Sequence, residues 1–189
     1  MEKKRWKAVF LDRDGVINEE VDHLNNAANL RILPGVAPAI RALNEKNYRV
    51  IVISNQSAVA KGMATEGVVQ EINAKIKASL AHDGAHIDAI YYCPHHPEGS
   101  VKEYAIVCDC RKPGVGMIQQ AAKEHDIDLR GSFLIGDKTS DILAGKRTGL
   151  TTILVRTGYA GKDGAHKVIP DLVADDLVAA AARIPEISS

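Results

Sequence analysis

The chain has 189 residues, of which 46% are hydrophobic and 25% are charged, a composition typical of a globular domain with a sizeable core. Its 24 Lys and Arg residues balance its 24 Asp and Glu residues, so it lacks the basic field of a nucleic-acid-binding protein. No apolar run is long enough to span a bilayer, and the N-terminal sequence does not resemble a signal peptide. We therefore expect a cytoplasmic protein that contacts neither membrane nor nucleic acid.

Apolar runs typical of strands alternate with helical patterns along the chain. In chain order these patterns predict strand 7–12, helix 35–47, strand 49–54, helix 65–83, strand 87–93, helix 116–125, strand 132–137, helix 140–148, strand 151–156 and helix 175–183. The strands are almost continuously apolar, as expected for strands buried on both faces of a parallel sheet. The sequence thus predicts one doubly wound, Rossmann-like α/β domain over residues 1–189.

Two segments do not fit this alternation. Residues 18–34, here called the flap, form a polar excursion after the first strand. Residues 93–113, here called the cysteine loop, contain prolines, histidines and all three cysteines. Both follow the carboxyl ends of predicted strands, where open α/β sheets place their binding sites. The short spacing between predicted strands leaves no room for a large cap domain.

The strongest local motif is Asp12-Arg13-Asp14-Gly15, where the chain leaves the first strand. One carboxylate of such a pair can attack a phosphorus atom, and the other can deliver a proton to the leaving oxygen. Gly15 permits a sharp exit from the strand. An ordinary turn rich in Asp and Gly is the alternative interpretation of this motif alone.

Further polar groups follow the other predicted strands. The second strand runs into residues 54–57, Ser-Asn-Gln-Ser, whose hydroxyl and amide groups can hold a phosphoryl oxygen. Lys112 precedes a helix and can neutralise an anionic reaction centre. The fourth strand ends at Asp137, with Asp141 one helical turn later, and Asp137 can complete a Mg²⁺ site of oxygen ligands. Each feature has a structural alternative when taken singly, but their joint placement after successive strands favours catalysis.

These motifs resemble the haloacid dehalogenase superfamily over nearly the whole chain. The resemblance implies a Mg²⁺-dependent phosphatase that works through an aspartyl-phosphate intermediate. It implies that Mg²⁺ is bound by Asp12, the backbone carbonyl of Asp14 and Asp137, while the role of Asp141 stays open. The implied catalytic residues are the nucleophile Asp12, the general acid/base Asp14, and Ser54 and Lys112 as groups that stabilise the phosphoryl group.

The three cysteines and a nearby histidine have the spacing of a structural zinc site. Cys93, His95, Cys108 and Cys110 form a C-x-H and C-x-C set that fills a tetrahedral Zn²⁺ with no open position. An unliganded loop of reduced thiols is the alternative, and His96 is a rival to His95 as the fourth ligand. Because the loop has little apolar content, we expect zinc to stabilise it and to direct the cations that follow Cys110.

The sequence CPHHP…CDCRKPGVGM, with FLDRDGVIN, SNQS and GDKTSD, resembles the D-glycero-D-manno-heptose-1,7-bisphosphate 7-phosphatases. This resemblance implies hydrolysis of the 7-phosphate, in the biosynthesis of ADP- or GDP-heptose for lipopolysaccharide or surface glycans. The flap departs from the family, which often has Gly-Tyr-Val there, so the preferred anomer stays open. The candidate substrate-binding residues are Arg13, Glu20, Val21, Asp22, His23, Asn55, Gln56, Ser57, Arg111 and Lys138.

Three other functions remain to be weighed. Histidinol-phosphate phosphatase is the alternative on the same scaffold, and Arg111 argues against it because a guanidinium suits a second anionic group better than the amine of histidinol phosphate. A zinc-dependent interaction module without catalysis is disfavoured by the intact set of acidic residues and Lys112. A nucleic-acid end phosphatase is disfavoured by the zero net charge. We expect a monomer that acts on a small sugar phosphate.

Overall fold

The computed structural model describes residues 5–187, so the outermost residues of the predicted 1–189 domain lie outside the described residues. All ten predicted elements are present, with ends that shift by a few residues. None of the described helices combines the length and the apolar character needed to cross a membrane. In chain order the elements are β1 (Ala8–Leu11), α1 (Val36–Glu45), β2 (Arg49–Asn55), α2 (Glu66–His82), β3 (Ala89–Cys93), α3 (Gly116–Glu124), β4 (Phe133–Gly136), α4 (Thr139–Thr148), β5 (Thr151–Val155), β6 (Leu172–Ala174) and α5 (Leu177–Ala182).

The strands form one parallel sheet in the order β3-β2-β1-β4-β5-β6. The central strand β1 pairs with β2 on one side and with β4 on the other, so that Phe10 lies between Ile51 and Leu134. The chain order reverses at β1, which makes this the point where an open α/β sheet leaves a crevice. The residues that follow β1, β2 and β4 are therefore brought together at one edge of the sheet.

Apolar clusters cover both faces of the sheet and confirm the predicted doubly wound α/β fold. Alternate residues of a strand point to opposite faces, and β1 contributes Val9 and Leu11 to one cluster and Phe10 to the other. The first cluster includes buried residues of α1, α2 and α5, and the second includes those of α3 and α4. Because β1 is packed on both faces, the residues at its end are held rigidly.

The structure contains two features that the sequence analysis does not predict. Strand β6 is an edge strand of only three residues, two of them partly exposed, so its apolar pattern is too short to stand out. The flap contains a short 3-10 turn at Ala27–Asn29, capped by Asn26. Its two ends meet, because Asn18 forms an antiparallel bridge with Ile32 and Glu19 N donates to Arg31 O at 2.9 Å. The flap is thus a folded hairpin-like excursion beside the end of β1.

Candidate active site

Three buried carboxylates and one buried lysine meet where β1 and β4 end. Lys112 Nζ lies 2.8 Å from Asp12 Oδ1 and 2.7 Å from Asp141 Oδ1, and it donates to Ile53 O at 2.8 Å. Asp12 follows β1, Asp137 follows β4, and Asp141 lies in the first turn of α4. Carboxylate oxygens of the three acids lie within 4.8 Å of one another. The fold therefore concentrates negative charge around a single ammonium group.

This excess of negative charge fits a divalent cation. The pKa of Asp137 is raised to about 8, mainly by burial and to a smaller extent by the neighbouring acids Asp12 and Asp141. Burial and Asp141 likewise raise the pKa of Asp12 to about 6, although Lys112 opposes the shift. Asp137 Oδ1 is buried without a hydrogen-bond partner among the described residues. A hard cation such as Mg²⁺, which prefers oxygen ligands, would satisfy these groups.

Glycines allow the backbone to close around Asp137. A side chain at Gly15, which has a φ of +83°, or at Gly158, which has a φ of +60°, would collide with the carboxylate of Asp137. Tyr159 N then donates to Asp137 Oδ2 at 2.7 Å. The turn after β1 and the loop after β5 thus form the walls that fix this carboxylate.

Asp14 is held by a separate set of hydrogen bonds. Its carboxylate accepts from Arg13 Nη2 at 3.0 Å, from Asn18 Nδ2 at 2.8 Å and from Gln56 Nε2 at 2.8 Å. Burial opposes ionisation of Asp14, but the Arg13 guanidinium and these hydrogen bonds hold its pKa below the usual range. Gln56 Nε2 also donates to Ser54 Oγ at 2.7 Å, which connects Asp14 to the end of β2.

Most of the candidate substrate-binding residues line one cavity of about 640 Å³. The sequence-predicted residues on its wall are Asp12, Asp14, Glu20, Asp22, His23, Asn55, Gln56, Ser57, Arg111, Lys112 and Lys138. Ser54 and Asp137 are buried. Val21 is 48% exposed and lines a neighbouring cavity of about 510 Å³.

Arg13, a predicted substrate-binding residue, is buried beside Asp14 and does not line the cavity. The side chain is only 1% exposed, and its guanidinium faces Asp14, Gln56 Oε1 at 2.9 Å and Asn73 Oδ1 at 3.1 Å. Its hydrogen-bonding groups are directed into the protein, where they hold Asp14. Substrate binding by Arg13 stays a prediction, and the contacts in this structure are those of a residue that positions Asp14.

Several cavity residues were not predicted from the sequence, namely Lys61, Ser140, Tyr159, Asp163 and His166. The only available signal was their location after the carboxyl ends of β2, β4 and β5, which marks a region of the chain but no particular side chain.

The flap reaches across this cavity and is tied to both sides of it. Glu20 Oε2 lies 2.8 Å from Lys138 Nζ, and Tyr159 Oη donates to Asp22 Oδ1 at 2.7 Å. On the other side, Lys61 Nζ and His23 Nε2 are 3.2 Å apart. The flap thus forms part of the cavity wall.

The three cysteines and His95 converge at the base of the cysteine loop. Cys110 Sγ lies 2.9 Å from Cys93 Sγ, 3.1 Å from Cys108 Sγ and 3.3 Å from His95 Nδ1. His96 instead accepts a hydrogen bond through Nδ1 from Glu98 N at 3.2 Å, so the geometry favours His95 as the fourth member. Burial raises the pKa of the Cys93 thiol, and a cation would be needed to hold three thiolates at this separation. The cluster can therefore hold one metal ion.

The cysteine loop also holds the backbone of Lys112. Asn55 Oδ1 accepts from Lys112 N at 2.9 Å, and Asn55 Nδ2 donates to Lys112 O at 3.0 Å. Arg111 Nη1 donates to His95 O at 3.2 Å. The direction of both cations is consequently coupled to the metal-binding cluster and to the end of β2.

The parallel sheet, the buried aspartate after its central strand and the facing lysine define a haloacid dehalogenase-like hydrolase, and a HAD-hydrolase-like family model matches residues 109–180. The D-glycero-beta-D-manno-heptose-1,7-bisphosphate 7-phosphatase of Haemophilus ducreyi is 43% identical over 175 residues, which cover 91% of this chain and 94% of that protein. The enzyme of that name from Escherichia coli K12 is 41% identical over 156 residues, 82% of each chain. This chain belongs to the D-glycero-D-manno-heptose-1,7-bisphosphate 7-phosphatase family.

A solved structure supports the same assignment. The D,D-heptose 1,7-bisphosphate phosphatase from B. bronchiseptica, in complex with magnesium and phosphate, is similar with a TM-score of 0.83 and 34% identity. The similarity covers 94% of this chain and 97% of that one. The family and the fold are therefore shared over nearly the whole length of both chains.

Proposed function

We propose that this protein hydrolyses the 7-phosphate of D-glycero-D-manno-heptose 1,7-bisphosphate and leaves heptose 1-phosphate. The observation that carries the proposal is the pair of Asp12 and Lys112, 2.8 Å apart at the floor of a cavity whose wall holds further cations. The identity of the sugar in the proposed substrate is taken from the names of the relatives. The product would serve the biosynthesis of nucleotide-activated heptose.

In this mechanism, Asp12 attacks the phosphorus atom of the 7-phosphate. Lys112 lowers the repulsion between the attacking carboxylate and the phosphate, because its ammonium already lies against Asp12. Ser54 donates a hydrogen bond from its hydroxyl group to a phosphoryl oxygen. The sugar leaves as an alcohol, and an aspartyl-phosphate remains on the enzyme.

Asp14 transfers the protons in both halves of the reaction. It protonates the departing sugar oxygen in the first step, and it takes a proton from the water that hydrolyses the aspartyl-phosphate in the second. The hydrogen bonds from Arg13, Asn18 and Gln56 stabilise its anionic form, which suits the second step. Asp14 must carry a proton in the first step, and this requires that part of the hydrogen-bond network around it loosens.

We propose Mg²⁺ as the catalytic cofactor, held by Asp12, Asp137 and the backbone carbonyl of Asp14. When bound, Mg²⁺ neutralises charge on the nucleophile and the phosphate. The buried Asp137 Oδ1, which has no hydrogen-bond partner within residues 5–187, supports this assignment, as does the magnesium and phosphate complex of the B. bronchiseptica relative. Asp141 pairs with Lys112, so we assign it to holding that ammonium rather than to the metal.

We propose Zn²⁺ for the cluster of Cys93, His95, Cys108 and Cys110. Three thiolates and one imidazole are the ligands of structural zinc sites, and this set leaves no position open for catalysis. Its role is to fix the cysteine loop, and with it the direction of Arg111 and Lys112.

Arg111 and Lys138 are the groups we assign to the second phosphate. Both line the cavity, and a guanidinium can bind a phosphate through two hydrogen bonds. We further propose that residues 1–189 form one phosphatase domain in which the flap and the cysteine loop take the place of a cap. The expected cytoplasmic location and monomeric state remain predictions.

Phosphate release from a panel of substrates tests the proposed function. The panel contains both anomers of heptose 1,7-bisphosphate, histidinol phosphate and a hexose bisphosphate, with ³¹P spectra to identify the phosphate that is lost. We expect the β anomer to be the best substrate, because the H. ducreyi and E. coli relatives carry that name, while a Photorhabdus laumondii relative at 38% identity carries the α name. Faster turnover of histidinol phosphate than of either heptose anomer would overturn the proposal.

A further inference from the structure

The ammonium group of Lys138 already has an anionic partner within the protein. Lys138 follows Asp137 at the end of β4, and its Nζ lies 2.8 Å from Glu20 Oε2 on the flap. The side chains are 31% and 11% exposed, so the pair lies at the cavity wall rather than in bulk solvent. A substrate phosphate that approaches Lys138 therefore meets a carboxylate at the same site.

Glu20 is held in this position by the fold of the flap itself. Its other oxygen, Oε1, accepts from Asp22 N at 2.8 Å, and Asp22 Oδ1 accepts from Tyr159 Oη at 2.7 Å. Asp22 has a φ of +58°, in the left-handed region that few residues other than glycine adopt. Lys138 Nζ also lies 4.4 Å from the centre of the Tyr159 ring, within the range of a cation–π contact. The four residues Glu20, Asp22, Lys138 and Tyr159, here called the latch, thus join the flap to two other loops.

The neighbouring cations are also partly occupied. Lys112 lies between Asp12 and Asp141, and one guanidinium nitrogen of Arg111 donates to His95 O. Lys61 also lines the cavity, with its Nζ 3.2 Å from His23 Nε2, so a second phosphate can draw positive charge from Lys61, Arg111 and Lys138. A phosphate dianion bound to Lys138 would lie next to the Glu20 carboxylate, and the two anions would repel each other. Both therefore cannot hold the same ammonium group equally well.

We propose that Glu20 is an internal competitor for the second phosphate of the substrate and that this phosphate displaces Glu20 from Lys138 and opens the latch. The inference rests on the proposed heptose bisphosphate activity. Glu20 would weaken the binding of the 1-phosphate in substrate and product alike, because both carry it. Removing the competitor should therefore tighten binding, whereas removing a residue that contacts the sugar should weaken it.

Glu20→Gln in the Mg²⁺-loaded full-length protein tests the direction of this effect. We expect KM for heptose 1,7-bisphosphate to fall by about two- to fivefold, the range expected when a cation is freed from one ion pair at a cavity wall. The inhibition constant of the product, heptose 1-phosphate, should fall by a similar factor, and kcat should not rise. Glu19→Gln is the matched control, because Glu19 is an exposed flap residue whose hydrogen bonds are made by its backbone.

A double-mutant cycle with Lys138 tests whether Glu20 acts through the ammonium group. Lys138→Gln should raise KM for the bisphosphate, and in that background Glu20→Gln should have less than half of its effect on a logarithmic scale. An equal effect in both backgrounds would overturn the proposal, because Glu20 would then act on the ligand directly. A higher KM in Glu20→Gln, or a KM within the range of the Glu19→Gln control, would also overturn it.

A second substrate separates this inference from the proposed function. Hydrolysis of p-nitrophenyl phosphate reports the reaction centre, and fructose 1,6-bisphosphate serves as a competing anion. If no variant hydrolyses heptose bisphosphate, the proposed substrate is wrong. Stronger inhibition of Glu20→Gln than of wild type by fructose 1,6-bisphosphate would still support Glu20 as the competitor, and equal inhibition would refute it.

Discussion

At the scale of single residues, the site separates two aspartates that lie only two positions apart in the chain. Asp12 faces Lys112 in the cluster of buried acids, whereas Asp14 accepts hydrogen bonds from Arg13, Asn18 and Gln56. Burial and the neighbouring Asp141 raise the pKa of Asp12 to about 6, whereas the Arg13 guanidinium and several hydrogen bonds lower the pKa of Asp14 in spite of its burial. Two carboxylates in different environments are suited to two different tasks.

The nucleophile can be tested by removing one oxygen. Asp12→Asn should abolish turnover of every phosphate ester, because an amide does not form the acyl phosphate, while the circular dichroism spectrum stays unchanged. Beryllium fluoride should bind at Asp12 and should protect the wild-type protein from unfolding. Asp83→Asn, at the exposed end of α2, is the control. Turnover near the wild-type rate in Asp12→Asn would exclude the covalent mechanism.

The acid role of Asp14 should depend on the leaving group. Asp14→Asn should lower kcat for the heptose bisphosphate by roughly 10²–10⁴, the usual contribution of a positioned acid or base. An aryl phosphate, whose leaving group needs no proton, should be affected less in the phosphorylation step. Mg²⁺ affinity, measured by calorimetry, should stay nearly unchanged because we assign the metal contact to the backbone carbonyl. A collapse of Mg²⁺ affinity would show that this division of roles is wrong.

The raised pKa of Asp137 makes stability depend on pH when Mg²⁺ is absent. Folded Asp137 retains its proton to about pH 8, whereas the carboxyl of the unfolded chain loses it near 3.8, so the folded state binds the extra proton between these values. The stability that Asp137 contributes therefore falls as pH rises, by on the order of 2 kcal/mol between pH 6 and 8. Urea unfolding at both pH values measures this loss, which Asp137→Asn should reduce.

Added Mg²⁺ should stabilise the protein more at pH 8 than at pH 6. Cation binding and protonation compete for the same oxygens, so protonated Asp137 and Asp12 bind Mg²⁺ weakly. A stabilisation that is equal at both pH values would contradict the assignment of these carboxylates to the metal.

At the scale of elements, the cysteine loop links a candidate metal-binding cluster to two cations for which we propose different roles. Lys112 contacts Asp12, whereas Arg111 lines the same cavity and donates a hydrogen bond to His95 O. Adjacent positions on one loop thus serve the reaction centre and, as we propose, the remainder of the substrate.

Substitution of the two cations should separate these roles. Lys112→Ala should abolish turnover of the bisphosphate and of p-nitrophenyl phosphate alike, because it stabilises charge where phosphorus reacts. Arg111→Ala should lower kcat/KM for the bisphosphate about ten- to hundredfold, as expected for one charge-assisted hydrogen-bonded contact of about 1.5–3 kcal/mol. The ratio of the two activities decides between these roles. Equal loss of both activities in Arg111→Ala would show that Arg111 does not contribute to substrate selection.

At the scale of the whole molecule, two metal sites of different chemistry are expected on one chain. The oxygen cluster lies between β1 and β4, and the sulfur cluster lies at the base of the cysteine loop. Oxygen ligands favour a readily exchanged Mg²⁺, whereas three thiolates and an imidazole bind Zn²⁺ tightly. Loss of Mg²⁺ and loss of Zn²⁺ should therefore have different consequences for the protein.

Brief treatment with EDTA should stop turnover, and Mg²⁺ alone should restore it. The treated protein should still contain about one zinc ion per chain, the number that one four-ligand site holds. Cys108→Ser should lose zinc, melt at a lower temperature and lose activity toward every substrate, because a loose loop misplaces both cations. Purified protein without zinc, prepared under reducing conditions, would refute the structural zinc site.

The sequence by itself determined the alternation of elements and the identity of the chemical groups. Near-continuous apolar runs predicted five strands, and the residues that end them, Asp12, Ser54 and Asp137 among them, were identifiable because parallel strands end at the same edge of a sheet. The cysteine spacing likewise predicted the cluster that the structure brings together. These inferences succeed because periodicity and ligand spacing are local properties of the chain.

Only the tertiary structure decided which way the side chains point. Arg13 belongs to the active-site motif, yet it is buried against Asn73, a partner 60 positions away. Tyr159 and Lys138 meet the flap across the cavity, and strand β6 exists because the edge of β5 offers it a partner. Such contacts depend on distances between segments remote in sequence, and no local pattern encodes those distances.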